Sequence, residues 1–98
     1  MPKFVMLSTL GPEGSARLSE NPERLREVSS EVEAMGVKVL AQYALLGNWD
    51  FINILEAPDE TTMMRVATTL ASRGTLKTLT MAAAEVEDYI AALKSNPA

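Results

Sequence analysis

The chain has 98 residues, a formal net charge of −4, no histidine and no cysteine. That length makes one domain, while the missing residue types exclude disulfides, thiolate chemistry and the commonest metal ligand and general base near neutral pH. The acidic balance argues against a nucleic-acid or anionic-membrane face, and no apolar run approaches the roughly 20 residues of a spanning helix.

In chain order, Lys3 to Thr9 is a short apolar run ending in hydroxyls and reads as a first strand. Gly11-Pro12-Glu13-Gly14 breaks it as a turn, and Ser15 to Leu18 reads as one helical turn. It lacks the glycine spacing and lysine of a phosphate loop. Asn21-Pro22-Glu23 has the chemistry of a helix start: a capping amide, a proline for the first helical position and an acid for the positive end of the dipole. Leu25, Val28, Val32 and Met35 follow at helical spacing, and Gly36 ends the helix. Val37 to Leu46 and Trp49 to Glu56 are strands joined by a two-residue Gly47-Asn48 turn. Asp59 caps a second helix, with Met63, Val66, Ala67, Leu70 and Ala71 on its buried face and Gly74 at its end. Thr75 to Met81 is the fourth strand. Val86, Tyr89, Ile90 and Leu93 form the apolar stripe of a closing helix.

This order is α+β and specifies a ferredoxin-like βαββαβ unit, a four-stranded antiparallel sheet with helices on one face. Residues 1–94 read as one domain and 95–98 as a frayed tail.

The other sheet face needs a cover. With Ile52 and Ile54 under the helices, the alternation of a strand leaves Trp49, Phe51, Asn53 and Leu55 on the bare face. Three large side chains there, each worth roughly 1.5–3 kcal/mol on burial, call for a second copy packed sheet to sheet or for the closing helix folded back. Self-association is the preferred reading, with Trp49, Phe51 and Leu55 as its interface.

The run from Gly47 to Asp59, Gly-Asn-Trp-Asp-Phe-Ile-Asn-Ile-Leu-Glu-Ala-Pro-Asp, resembles the GYD-domain family of small bacterial and archaeal proteins. That family carries a Gly-x-Tyr-Asp stretch, a hydrophobic strand and Glu-Ala-Pro-Asp before a helix. Asn21-Pro22-Glu23-Arg24 and Arg73-Gly74-Thr75-Leu76-Lys77-Thr78 resemble two further stretches of it. Trp49 stands where the family has tyrosine, which removes a phenolic proton donor. The resemblance implies a ferredoxin-like fold of the dimeric α/β-barrel kind. Structural relatives include cofactor-free monooxygenases, isomerases, haem-handling proteins and ligand sensors, so fold alone does not choose a function.

Candidate site residues follow from residue chemistry. Tyr43, Asn53 and Thr78 can hydrogen-bond a ligand whose apolar walls are Trp49 and Phe51. Asp50 is either a carboxylate base or an acceptor for turn amides. Glu56, roughly 20 Å further along the strand, is too far to pair with it. Lys77 and Arg73 read as solvated surface, and Met63, Met64 and Met81 as core filler rather than a soft-metal site. Three functions stay open: a small-molecule binder, an oligomerisation or partner subunit, and an enzyme using a carboxylate base. The expected partners are a second copy and a small molecule, not nucleic acid or membrane. Neither a cofactor nor a metal is called for, and a cytoplasmic location is expected.

Overall fold

The computed structural model describes residues 1–95. The elements are β1 (Lys3–Leu10), α1 (Pro12–Glu20), α2 (Arg24–Ala34), β2 (Lys38–Ala44), β3 (Phe51–Glu56), α3 (Glu60–Ala71), β4 (Leu76–Ala83) and α4 (Val86–Lys94). The strands form one antiparallel sheet in the order β2-β3-β1-β4. This is the ferredoxin-like α+β arrangement. Beyond Ser95, the expected frayed tail lies outside the described residues.

Local chemistry explains where the elements begin and end. The Asp59 backbone is extended and its Oδ1 accepts the Thr62 N–H at 2.7 Å, so α3 starts with a filled cap. Gly36 and Gly74, which follow α2 and α3, have φ of 95° and 71°, left-handed values that a side chain would resist.

Three expectations are corrected. Gly11-Pro12-Glu13-Gly14 is the start of the nine-residue helix α1, with Pro12 in the first helical position, rather than a turn. The Gly14 position is buried against the Thr75 carbonyl oxygen, which a Cβ would strike, so only glycine lets α1 lie against the loop before β4. Asn21 does not cap α2. It closes α1, its N–H donating to the Arg17 carbonyl at 2.9 Å, because Pro22 holds the preceding residue out of the helical region. The β2–β3 connection is a six-residue loop, 45–50, rather than a two-residue turn. The Leu45 N–H closes it on the Asp50 carbonyl at 2.7 Å, and Trp49 sits in this loop outside the strand.

The two sheet faces are exchanged relative to expectation. β1 buries Phe4, Met6 and Ser8, and its register pairs them with Leu55, Asn53 and Phe51. Directly paired residues share a face, so Phe51, Asn53 and Leu55 lie under the helices. Leu55 is only 3% exposed and packs with Phe4, Met6, Val32, Met63, Val66 and Leu70 in the core. Ile52 and Ile54 lie on the bare face. Both alternating sets of β3 are apolar, so period alone could not say which set faces the core.

Candidate functional site

Between the inner sheet face and the first two helices lies a cavity of about 430 Å³. Its walls are apolar: Met6 and Leu10 of β1, Phe51 of β3, Leu18, Leu25 and Val28 of the helices, and Leu70 and Leu76. The core closes toward Phe4 and Leu55 but stays open here, because α1 is tethered at Gly11 and Gly14 to Thr75 and spans the gap instead of filling it. The Gly11 N–H donates to the Thr75 carbonyl at 3.2 Å.

Polar groups line the sheet side. Gln42 Nε2 donates to Asn53 Oδ1 at 2.8 Å, and Ser29 Oγ donates to Gln42 Oε1 at 3.1 Å, which ties β3, β2 and α2 together. Ser8 and Thr78 stand beside them, opposite one another in the β1–β4 register. Three arginines border the cavity from three places: Arg17 on α1, Arg24 at the start of α2, and Arg73 just past α3. Arg24 and Arg73 both pair with Glu31, which Arg73 chiefly holds below the usual carboxylate range.

Of the sequence-derived ligand candidates, the structure brings Phe51, Asn53 and Thr78 to this cavity, while Tyr43 borders it from β2 but pairs with Ile52 and so turns its exposed ring to the bare face. Trp49 and Asp50 do not line it. Asp50 fastens strands instead. Its Oδ2 accepts the Leu10 N–H at 2.7 Å and its own N–H donates to the Ser8 carbonyl at 2.8 Å. The amide it binds therefore belongs to the end of β1, not to the Gly47-Asn48 turn. Arg17, Arg24 and Gln42 were not read from sequence; each reads as surface until the fold is known.

The second feature is the bare sheet face. Val5, Leu7, Ile52, Ile54, Leu79 and Met81 form its apolar centre, with no helix over it. Leu79 and Met81 are 44% and 43% exposed, while Thr78 and Thr80 of the same strand face the helices. β4 is thus inverted for a lone copy: hydroxyls inside, large apolar groups outside. Sequence alternation in β4 carried this signal, because it conflicts with a water-facing outer side. The closing helix does not supply the cover. α4 buries no residue, and Val86, Tyr89 and Leu93 are exposed along it. The Lys3–Glu85 ion pair ties its entry to the sheet, raising the lysine and lowering the glutamate from their ordinary values through their mutual hydrogen bond.

The chain as a whole is extended for its size. Its Cα radius of gyration is 15.4 Å, against about 12.6 Å for a compact domain of this length. It exposes 6699 Å², roughly 1,200 Å² more than a compact monomer of its mass. Among the described residues no group of three or more acidic side chains could hold a metal ion, and no helix is long and apolar enough to cross a membrane.

Comparison with known proteins agrees with this architecture. The chain is 52% identical over 95 residues to a Thermus thermophilus protein called glutamine synthetase and cystathionine beta-lyase binding protein, covering 96% of this chain and all of that one. The crystal structure of FFRP-DM1 superimposes with a TM-score of 0.58 at 21% identity, covering 86% of this chain and all of the other, which is a likeness of fold. The model of the GYD domain matches residues 4–93. The chain belongs to the GYD-domain family.

Proposed function

We propose that this chain is a cytoplasmic, non-catalytic partner subunit: a homodimer, paired through its bare sheet face, that docks onto metabolic enzymes. The observation that carries the docking half is the 52% identity, over the whole of both chains, to a protein named for binding glutamine synthetase and cystathionine beta-lyase. Those two enzymes are the partners to test first.

The pairing half is supported by the apolar centre of the outer sheet face and by the excess surface of the single chain. An excess of roughly 1,200 Å² per copy exceeds the ~800 Å² that each partner gives up in an interface of standard size. The partner copy sits over Val5, Leu7, Ile52, Ile54, Leu79 and Met81 rather than over Phe51 and Leu55. Each α4 then has a neighbouring surface on which to lay Tyr89, Ile90 and Leu93.

A carboxylate-base enzyme is less well supported. Asp50, the base considered from sequence, lies outside the cavity with its Oδ2 engaged by the Leu10 amide.

The test is direct binding. Purified chain is titrated against purified Thermus thermophilus glutamine synthetase and, separately, cystathionine beta-lyase, with binding read by interferometry and stoichiometry by multi-angle light scattering. Saturable binding to either enzyme, by a two-copy particle, is the expected result. No binding to either, at concentrations where the chain is folded, removes the docking half. A single-copy particle at ~100 μM removes the pairing half, since a standard interface holds at micromolar concentrations or below.

A further inference from the structure

We infer that the 430 Å³ cavity under α1 and α2 is a binding site for a small monocarboxylic acid with an apolar body and no ammonium group. This goes beyond the partner-subunit reading and does not rest on it.

Volume and lining give the apolar body. The cavity lies within the 300–1,000 Å³ of small-molecule sites, and most of its wall is aliphatic or aromatic. The charge pattern gives the carboxylate. In a chain with 13 acidic and 9 basic residues, the residues lining this cavity include Arg17, Arg24 and Arg73 and not one aspartate or glutamate. The charged residues that line it are therefore all cationic, an arrangement that favours an anion over an ammonium group.

Hydrogen-bond inventory points the same way. The acceptor oxygens of Gln42 and Asn53 are already engaged by Ser29 and Gln42. The Asn53 amide N–H groups are donors with no partner among the described residues, and the Ser8 and Thr78 hydroxyls donate to none. Donors without a partner converge on the cavity, which suits an anion.

The arginines are free to respond. Arg17 pairs with Glu13, and Arg24 with Glu27, in exposed contacts on their own helices. Such pairs hold little energy, and each guanidinium has five donors. A ligand carboxylate entering from the α1–α2 side takes unused donors without breaking the Glu31 bridge between Arg24 and Arg73.

The experiment uses the full chain and four probes: hexanoate, phenylacetate, hexanamide and hexylammonium. Binding is read by titration calorimetry, and its place by amide chemical-shift changes. At least one carboxylate should bind with shifts at Ser8, Asn53 and Thr78. Hexanamide should bind at least ten times more weakly, and hexylammonium not at all. Whether hexanoate or phenylacetate binds tighter tells a flexible body from a flat one. Arg17→Gln should weaken the carboxylate about tenfold, and Ala44→Trp, at an exposed position on the rim, should abolish binding. Both variants leave the core untouched and should keep the wild-type circular dichroism. Ile54→Lys, on the opposite sheet face, should leave binding unchanged, so failure of the pairing reading and failure of this one are separable. Equal affinity for acid, amide and amine overturns the assignment, as does binding by neither carboxylate up to about 10 mM, or shifts confined to the outer sheet face.

Discussion

Ile54→Lys puts the outer sheet face to the test. Ile54 sits at the centre of that face, paired with Val5 on one side and Ala41 on the other. A lysine there lies over no helix, so in a lone chain its stem covers the sheet and its ammonium stays in water. Folding should therefore be little changed. In a two-fold pair the substitution occurs twice. Each copy forfeits the burial of an isoleucine, about 1.5–3 kcal/mol, so the dimer loses about 3–6 kcal/mol before any charge is desolvated. That is roughly a 10²- to 10⁴-fold rise in the dissociation constant. Sedimentation velocity over a hundredfold concentration range reads it directly, with chemical denaturation to confirm that the variant folds. Expected are a two-copy wild type and a one-copy variant at the same concentration. A variant that dimerises with the wild-type constant would falsify pairing through this face, and would leave the inverted strand β4 without a partner copy to cover it.

Asp59→Ala removes the cap of α3, and the melting temperature should fall by about 5 °C. Hydrogen bonding from Thr62, chiefly, and from Thr61 holds the Asp59 carboxyl below its ordinary value. Its contribution is therefore present above the unfolded carboxylate value, about 3.9, and is lost as pH falls through the depressed folded value. Wild type and variant melting curves should converge in acid and stay apart at pH 7. Thr80→Val replaces a hydroxyl whose oxygen is buried, without a partner among the described residues, on the inner face of β4. An isosteric methyl removes that penalty, so denaturation should show a gain of about 1 kcal/mol, and a loss would mean that the hydroxyl has an unrecognised partner. Asp50→Asn keeps an oxygen to accept the Leu10 amide, whereas Asp50→Ala leaves that amide unpaired at a cost of about 1–3 kcal/mol. Urea midpoints should rank wild type, asparagine, alanine in that order. A catalytic rather than structural carboxylate would leave all three equally stable.

The element order was legible because each boundary has local chemistry. Asp59 before Thr62, Gly36 and Gly74 at left-handed positions, and the apolar spacing of α2 and α3 all sit within a few residues of what they control. The errors have the opposite character. α1 depends on Gly14 lying against Thr75, a contact 61 positions apart in the chain that no local signal reports. The exchange of sheet faces has the same origin. Phe51 and Leu55 compete with Ile52 and Ile54, and only the pairing of Phe4 with Leu55 against Met63 and Val66 decides which set is buried. Of the ligand candidates, Phe51, Asn53 and Thr78 line the cavity, although alternation had assigned Phe51 and Asn53 to the opposite face. Arg17 and Arg24 were not legible, since an arginine on an amphipathic helix looks like solvated surface until another element faces it.

One sheet, a single residue thick, separates the cavity from the outer face. β1 sends Met6 and Ser8 to one side and Val5 and Leu7 to the other, and β4 sends Thr78 and Thr80 inward and Leu79 and Met81 outward. A slip of one residue in β1 would exchange the two surfaces, placing Leu7 and Thr9 under the helices and Ser8 on the outer face. Hydrophobicity alone guards weakly against this, because Val5 and Leu7 would fill the core about as well as Phe4 and Met6 do. Asp50 supplies the missing constraint. Its side chain takes the Leu10 amide while its backbone takes the Ser8 carbonyl, and neither bond survives a one-residue shift, since the shifted strand presents its amides and carbonyls to the opposite side. The Gly-Asn-Trp-Asp stretch by which the chain resembles its family thus has a structural meaning. Its aspartate fixes which side of β1 faces the cavity and which side forms the outer sheet face.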